Sequence, residues 1–195
     1  MRIQADELTR TVTDIFVKMG SPPEEAALVA GSLAKANLMG HDSHGVGLVA
    51  TYIRHFEEGL LKPGTPVTLA KDDGAILMFD GERGFGRRVG GEAMEIAAAR
   101  CKETGVVLMT LRNAHHIGRV GAYGEIAMEN DLISLHFVNV TDHVPSVAPW
   151  GGGEARFVTN PVCIAVPGTG QTPPTLLDMA TSQIALGKAR VAMSK

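Results

Sequence analysis

The chain has 195 residues, of which 45% are hydrophobic and 20% are charged, and its formal net charge at pH 7 is -3. This length and composition can bury the core of one or two domains, which excludes a disordered protein. Lysine and arginine are scattered rather than gathered into a basic stripe, so we expect no nucleic-acid partner. No apolar run approaches the roughly 20 residues of a membrane span, so we expect no membrane partner.

The two cysteines of the sequence, Cys101 and Cys163, lie inside apolar runs. This placement favours buried, reduced thiols over a disulfide framework. The first ten residues, MRIQADELTR, lack the apolar core of a signal peptide. Both features predict a cytoplasmic protein.

The first sixty residues have the pattern of helices. Apolar residues recur at helical spacing until Gly20, which ends the first helix. Ser21 is predicted to be the N-cap of a second helix, with Glu24 completing a capping box. A third helix is predicted over residues 47–58, so we expect residues 1–62 to form a helical segment.

After Pro63 the pattern becomes that of strands, bounded by glycine or proline. The predicted strands are residues 75–81, 106–112, 132–140, 161–167 and 175–180. Helices predicted over 90–103 and 121–130 alternate with them, which is typical of an α/β domain with a mixed sheet. We therefore expect a mixed α/β domain over residues 63–195, and its last helix has no cap or closing strand, so we expect the natural chain to continue.

The glycine cluster GERGFGRRVGG, residues 81–91, invites comparison with nucleotide-binding loops. The spacing of Gly84, Gly86 and Gly90 is not GxGxxG, and no acidic residue follows at the end of a second strand. A turn that leads into the alanine-rich helix is the better interpretation. Any dinucleotide cofactor must then be held elsewhere.

Two segments concentrate groups that can transfer protons. HDSHGVG, residues 41–47, lies between two predicted helices, where side chains can project into a cleft. RNAHHIGRVGAYGE, residues 112–125, follows a predicted strand directly, at the edge where α/β sheets present ligands. Histidine titrates near neutral pH, although a histidine in a loop is more often a packing or surface residue.

Five segments carry a family resemblance. GHDSHGVG, TYIRHFEEG, NAHHIGRVG, FVTNP and LLDMATS, in this order, resemble the malate/L-lactate dehydrogenase family of nicotinamide-dependent oxidoreductases, and the HHIGR variant is most similar to its hydroxycarboxylate dehydrogenases. The family is structurally unrelated to the Rossmann-type dehydrogenases. The resemblance implies hydride transfer between NAD or NADP and a 2-hydroxy acid, in a homodimer. Family chains are longer, which implies that this one is an amino-terminal part.

The resemblance also implies catalytic roles. Reduction of a 2-oxo acid leaves an alkoxide that needs a proton, and a histidine is suited to supply it. His116 is the implied acid–base residue, and His44 is implied to be the alternative proton donor or a cofactor or substrate contact. Ser43 is the implied substrate contact. Asp42 is better interpreted as a helix cap than as a reactant.

Two sets of residues are implied to hold the cofactor. Gly118, Arg119 and Val120 are expected to contact its phosphates through amides and a guanidinium. The second set ends a predicted strand, and its hydroxyls and amides are expected to contact the nicotinamide or ribose. It consists of Asp178, Met179, Ala180, Thr181 and Ser182. The alternative for this segment is a simple strand-to-helix cap.

One departure affects the substrate. Many relatives have an arginine, suited to clamping a carboxylate, where this chain has Leu48. Arg54 or Arg119 is predicted to replace it, and Leu48 would then open the pocket to larger 2-oxo acids.

Two other functions stay open. His41, His44, His115 and His116 could bind a metal in a hydrolase, although the HExxH motif is absent. The chain could also be an inactive fragment or a non-catalytic binding module.

Overall fold

The computed structural model describes residues 3–141 and 144–193. The chain divides into two compact units, Met1–Arg119 and Val120–Lys195. The predicted change from helices to strands after residue 62 lies within the first unit. The predicted domain boundary between residues 62 and 63 stays a prediction.

The first unit begins with three helices, as predicted. They are α1 (Ala5–Lys18), α2 (Pro23–Leu38) and α3 (Val49–Glu57). Two short 3-10 turns, Asp42–His44 and Val46–Leu48, connect α2 to α3. The helices bury a shared core in which the ring of Tyr52 packs against two phenylalanine rings, at centroid distances of 6.1 Å from Phe16 and 6.0 Å from Phe85.

Three strands follow in the first unit, in the order β1 (Thr68–Asp73), β2 (Ile76–Asp80) and β3 (Leu108–Arg112). β1 pairs antiparallel with β2, whereas β3 pairs parallel with it. Helix α4 (Gly86–Thr104) makes the crossover that two parallel strands need, and its alanines pack on β2. Every residue of β1 is exposed, so the strand lacks the alternation that would have predicted it.

The second unit contains α5 (Gly121–Glu129), three strands and α6 (Leu186–Met193). The strands β4 (Ser134–Phe137), β5 (Val162–Val166) and β6 (Thr175–Met179) form an antiparallel sheet in that order. The predicted α/β fold is confirmed. The predicted mixed sheet is that of the first unit, where β2 pairs antiparallel with β1 and parallel with β3, and the described strands of the second unit form a separate antiparallel sheet.

The described cysteines are both free, and Cys163 is buried whereas Cys101 is half-buried. Burial of both thiols was therefore predicted correctly only for Cys163. Among the described residues, no helix has the length and apolar character needed to cross a membrane.

The start of α2 differs from the predicted capping box. Pro22 occupies the N-cap position and makes no side-chain cap hydrogen bond. The hydroxyl of Ser21 donates instead to the carboxylate of Glu25, so the predicted pairing of Ser21 with Glu24 is wrong. Proline fixes its own φ but offers no side-chain acceptor, and the serine is therefore one residue too early to cap the helix.

Glu25 is a buried carboxylate, 2% exposed, that joins three parts of the first unit. Besides Ser21, it accepts hydrogen bonds from the amide of Gly64 at 2.8 Å and from the guanidinium of Arg88, in α4, at 2.9 Å. Arg88 also donates to Glu92 at 2.8 Å. A buried charge is tolerated only with such a set of partners, so Glu25 fixes α2 against α4.

Replacing Glu25 by alanine should lower the free energy of unfolding by about 3 kcal/mol, because it leaves Arg88 and the amide of Gly64 without this acceptor. Glu24→Ala is the matched control, since it also removes an acidic residue from the first turn of α2 but an exposed one. It should change stability by less than about 0.5 kcal/mol. Urea unfolding measures both, and equal losses would contradict the proposed role of the buried carboxylate.

Candidate functional site

The loop after β3, which carries His115 and His116, lies directly on the start of α4. The amide of His115 donates to the carbonyl of Gly84 at 3.1 Å. A Cβ atom on Gly86 would lie 2.1 Å from the carbonyl oxygen of His115 and 2.5 Å from that of His116. The glycine cluster therefore leads through a turn into the helix, as predicted, and it also makes room for the histidine loop.

Asp80, the last residue of β2, anchors the beginning of this loop. Its carboxylate accepts hydrogen bonds from the amide of Glu82 at 3.0 Å and from the side chains of Arg112 and Asn113, both at 2.9 Å. The amide of Glu82 is the largest of the causes that lower the pKa of Asp80. We did not single out Asp80 from the sequence, although an aspartate that ends an apolar strand is a usable signal.

Helix α3 holds each histidine of the loop by one side chain. The hydroxyl of Tyr52 lies 2.8 Å from Nδ1 of His116, and Nδ1 of His55 lies 2.8 Å from Nε2 of His115. Tyr52 and His55 are three residues apart and so share a face of the helix. Sequence reasoning missed both residues, and this i, i+3 spacing was the signal that could have found them.

The junction HDSHGVG meets the histidine loop, as predicted. The ring of His44 stacks on that of His116, with centroids 5.6 Å apart and planes inclined by 26°. The hydroxyl of Ser43 lies 2.9 Å from Nδ1 of His44. Each ring of the stacked pair thus has a hydroxyl group at its Nδ1 atom.

Asn37, near the end of α2, fixes the shape of the junction. Its side chain donates to the carboxylate of Asp42 at 2.7 Å and accepts from the amide of Val46 at 2.8 Å. A Cβ atom on Gly45 would lie 2.1 Å from the Asn37 oxygen. The prediction that Asp42 is a helix cap is wrong, because its carboxylate binds Asn37 and the turn it begins has no side-chain cap.

His115 is a neutral, buried residue of the site. It is 9% exposed, and burial, followed by the neighbouring His116 and His55, lowers its pKa from 6.5 to about 3. Its Nδ1 atom is buried and has no hydrogen-bond partner among the residues that the structure describes. His115 thus packs between Tyr52 and His55 and supports the loop without carrying charge at neutral pH.

The arginines predicted to hold a substrate carboxylate differ in exposure. The side chain of Arg54 is 63% exposed and lies 4.0 Å from Glu58, whereas Arg119 is only 9% exposed. Leu48 is half-buried and packs against the helical core. This contact gives the leucine a packing role, and its effect on the substrate pocket stays a prediction. The role of Arg54 stays a prediction.

The predicted cofactor residues make local contacts in the second unit. The carboxylate of Asp178 accepts from the amide of Gly121 at 2.7 Å, so the first amide of α5 already has an anionic partner. Thr181 donates to the carbonyl of Thr159 at 2.9 Å and Ser182 to that of Ile184 at 3.0 Å. Both hydroxyl oxygens keep acceptor capacity, which suits a carboxamide or a ribose hydroxyl.

The remaining members of the two predicted cofactor sets have no contact that decides their role. Gly118 is half-buried and Val120, the N-cap residue of α5, is buried. Met179 ends β6 with 49% exposure, and Ala180 follows it. Contacts of all these residues with a cofactor stay predictions.

The alternative metal site finds no support. Within residues 3–141 and 144–193, no group of three or more histidine, cysteine, aspartate or glutamate side chains is arranged to hold a metal ion. The Nδ1 atoms of His44 and His116 lie instead beside hydroxyl groups.

Gly86→Ala should displace the histidine loop, because its Cβ atom meets two backbone carbonyls that cannot rotate away. We expect a loss of stability of about 1–3 kcal/mol. Gly91→Ala is the control, since nothing lies within 4 Å of its Cβ position in the same helix. It should be neutral or stabilise by up to about 1 kcal/mol. Thermal unfolding compares the two, and similar melting temperatures would exclude the close approach.

The low pKa of His115 predicts a pH-dependent stability. An unfolded histidine binds a proton below about pH 6.5, whereas folded His115 does so only near pH 3, so the unfolded state binds more protons between these values. Stability is therefore lost as the pH falls from 6.5 towards 3, by about 1.4 kcal/mol per pH unit. Urea unfolding at pH 7 and pH 5 should show a loss about 2 kcal/mol larger in the wild type than in His115→Phe. Parallel curves would show that His115 titrates normally.

The chain matches the malate/L-lactate dehydrogenase family over residues 3–195. It is 41% identical to hydroxycarboxylate dehydrogenase B of Escherichia coli over 194 residues, which are 100% of this chain and 53% of that protein. It is 37% identical to an L-lactate dehydrogenase of Cupriavidus necator, covering 100% of this chain and 56% of the relative. The solved sulfolactate dehydrogenase of Methanocaldococcus jannaschii is 36% identical with a TM-score of 0.89, over 100% of this chain and 55% of that one. The chain spans about half the length of these relatives, and it belongs to the malate/L-lactate dehydrogenase family.

Proposed function

We propose that the intact protein is an oxidoreductase that transfers a hydride between NAD(P)H and a 2-oxo acid. The observation that carries this proposal is the stacked pair of His44 and His116, each with a hydroxyl at Nδ1. Family membership supports the same reaction, since the relatives are named as dehydrogenases of hydroxycarboxylates, lactate and sulfolactate. We infer that this protein also acts on a 2-hydroxy acid.

The proposed mechanism assigns the proton to the histidine pair. A bound nicotinamide cofactor supplies the hydride that reduces the carbonyl carbon. The developing alkoxide takes a proton from His116, and in the reverse direction His116 removes the proton from the hydroxyl group. His44 stacks on His116 and is the second candidate for the donor, with Ser43 beside it as the substrate contact. Arg54 is the proposed partner of the substrate carboxylate, because its pairing with Glu58 at 4.0 Å is loose.

The cofactor is proposed to be NAD or NADP. Gly118, Arg119 and Val120 are proposed to contact its phosphates, and His44 is a further proposed cofactor contact. The segment Asp178–Ser182 is proposed to contact the nicotinamide and ribose, supported by the acceptor capacity of its two hydroxyl oxygens. We also propose that the protein is a homodimer, because the family resemblance implies one. The placement of the cysteines supports a location in the cytoplasm.

His116→Ala should lower turnover by about 10²-fold or more while the cofactor dissociation constant stays near that of the wild type. Oxidation of NADH and of NADPH by the intact protein, with a panel of 2-oxo acids, measures turnover, and cofactor fluorescence measures binding. His41→Ala is the control, because His41 lies outside the stacked pair. It should keep turnover near that of the wild type, and a loss as large as that of His116→Ala would contradict a specific role for His116.

If His116→Ala keeps near-wild-type turnover, the assignment is wrong and His44 takes the role. If neither coenzyme is oxidised with any 2-oxo acid of the panel, the proposed reaction itself is wrong.

A further inference from the structure

We propose that Tyr52 is a positioning residue for His116, whose phenol oxygen accepts a hydrogen bond from Nδ1–H and keeps Nε2 as the nitrogen that exchanges the proton. The geometry behind this assignment is the 2.8 Å separation between the Tyr52 hydroxyl and Nδ1 of His116. The transfer of this proton to and from a substrate rests on the proposed oxidoreductase function. The hydrogen bond between Tyr52 and His116 is independent of that function.

The direction of the hydrogen bond follows from what an acid–base histidine must do. As an acid, the imidazolium carries protons on both nitrogens, and after it has given up the Nε2 proton it must keep the proton on Nδ1. An acceptor fixed at Nδ1 stabilises both of these states. The Tyr52 oxygen can accept that hydrogen bond throughout the cycle, so His116 returns to the same tautomer after each transfer.

A phenol differs here from the carboxylate that often orients a catalytic histidine. A carboxylate would add a negative charge that favours the protonated ring. The neutral Tyr52 hydroxyl orients the ring without adding this charge. The phenol thus fixes which ring nitrogen keeps its proton and contributes no charge of its own.

Tyr52 is held rigidly enough to position another residue. It is 3% exposed, and its ring packs against Phe16 and Phe85 in the helical core. His115 meets the Tyr52 ring edge-on at 4.7 Å. The hydroxyl is thus carried by a buried ring that cannot change rotamer without disturbing the core. Tyr52→Phe keeps this packing and removes only the oxygen.

The test uses the intact protein labelled with ¹⁵N-histidine. The wild-type spectrum should show neutral His116 with its proton on Nδ1, and Tyr52→Phe should shift it towards the Nε2–H form that an unconstrained histidine prefers. The His116→Gln spectrum assigns the resonance. Tyr123→Phe is the matched control, because Tyr123 is the other tyrosine of the chain, is 4% exposed and lies in the second unit. It should leave the His116 signals unchanged.

Kinetic measurements distinguish positioning of His116 from a merely structural role of Tyr52. In Tyr52→Phe, kcat should fall by about tenfold or more, its pH profile should move, and KM for the 2-oxo acid should stay within about twofold of the wild type. An unchanged tautomer of His116 in Tyr52→Phe would overturn the proposal, whatever the activity. If the tautomer changes but the protein reduces no 2-oxo acid, the positioning role stands and the proposed function fails.

Discussion

The passage of the histidine loop across Gly86 is the constraint on which the candidate site depends. Two backbone carbonyls, those of His115 and His116, occupy the space that a side chain at position 86 would need. Helix α4 therefore begins beneath the loop. The backbone contact at Gly86 prevents the loop from moving closer to the helix, and moving away would break the hydrogen bond from the amide of His115 to the carbonyl of Gly84. The positions of the two imidazole rings follow from this backbone contact.

Helix α3 then decides what each ring can do. Its inner face presents a phenol to His116 and an imidazole to His115, so two adjacent histidines acquire different chemical environments. His115 is buried and stays neutral, since its pKa is lowered to about 3, while His116 faces the ring of His44. Two side chains one turn apart on α3, Tyr52 and His55, thus give the adjacent residues His116 and His115 different surroundings.

The sequence predicted the parts of this structure that depend on local patterns. Apolar periodicity was sufficient for helices α1 to α5 and for five of the six strands in the described part of the chain, but not for β1, whose residues are all exposed. The two histidine-rich segments were found because proton-transferring groups cluster in them. Tyr52 and His55 were missed because their i, i+3 spacing indicates a shared helix face but not which loop that face contacts, and their partners lie 64 and 60 positions away in the chain. Asp42 was misassigned for another reason: its partner Asn37 is only five positions away but lies in the preceding helix, whereas an aspartate before a helix is usually a cap.

The contacts of Asn37 restrict which residue can stand at that position. One end of its amide donates to a carboxylate and the other accepts from a backbone amide, and no other side chain of this size offers both. Aspartate would set two negative charges against each other at Asp42, and leucine would leave the amide of Val46 without its acceptor. Either change would loosen the turn that carries Ser43 and His44, so a residue with no part in proton transfer sets the shape of one wall of the site.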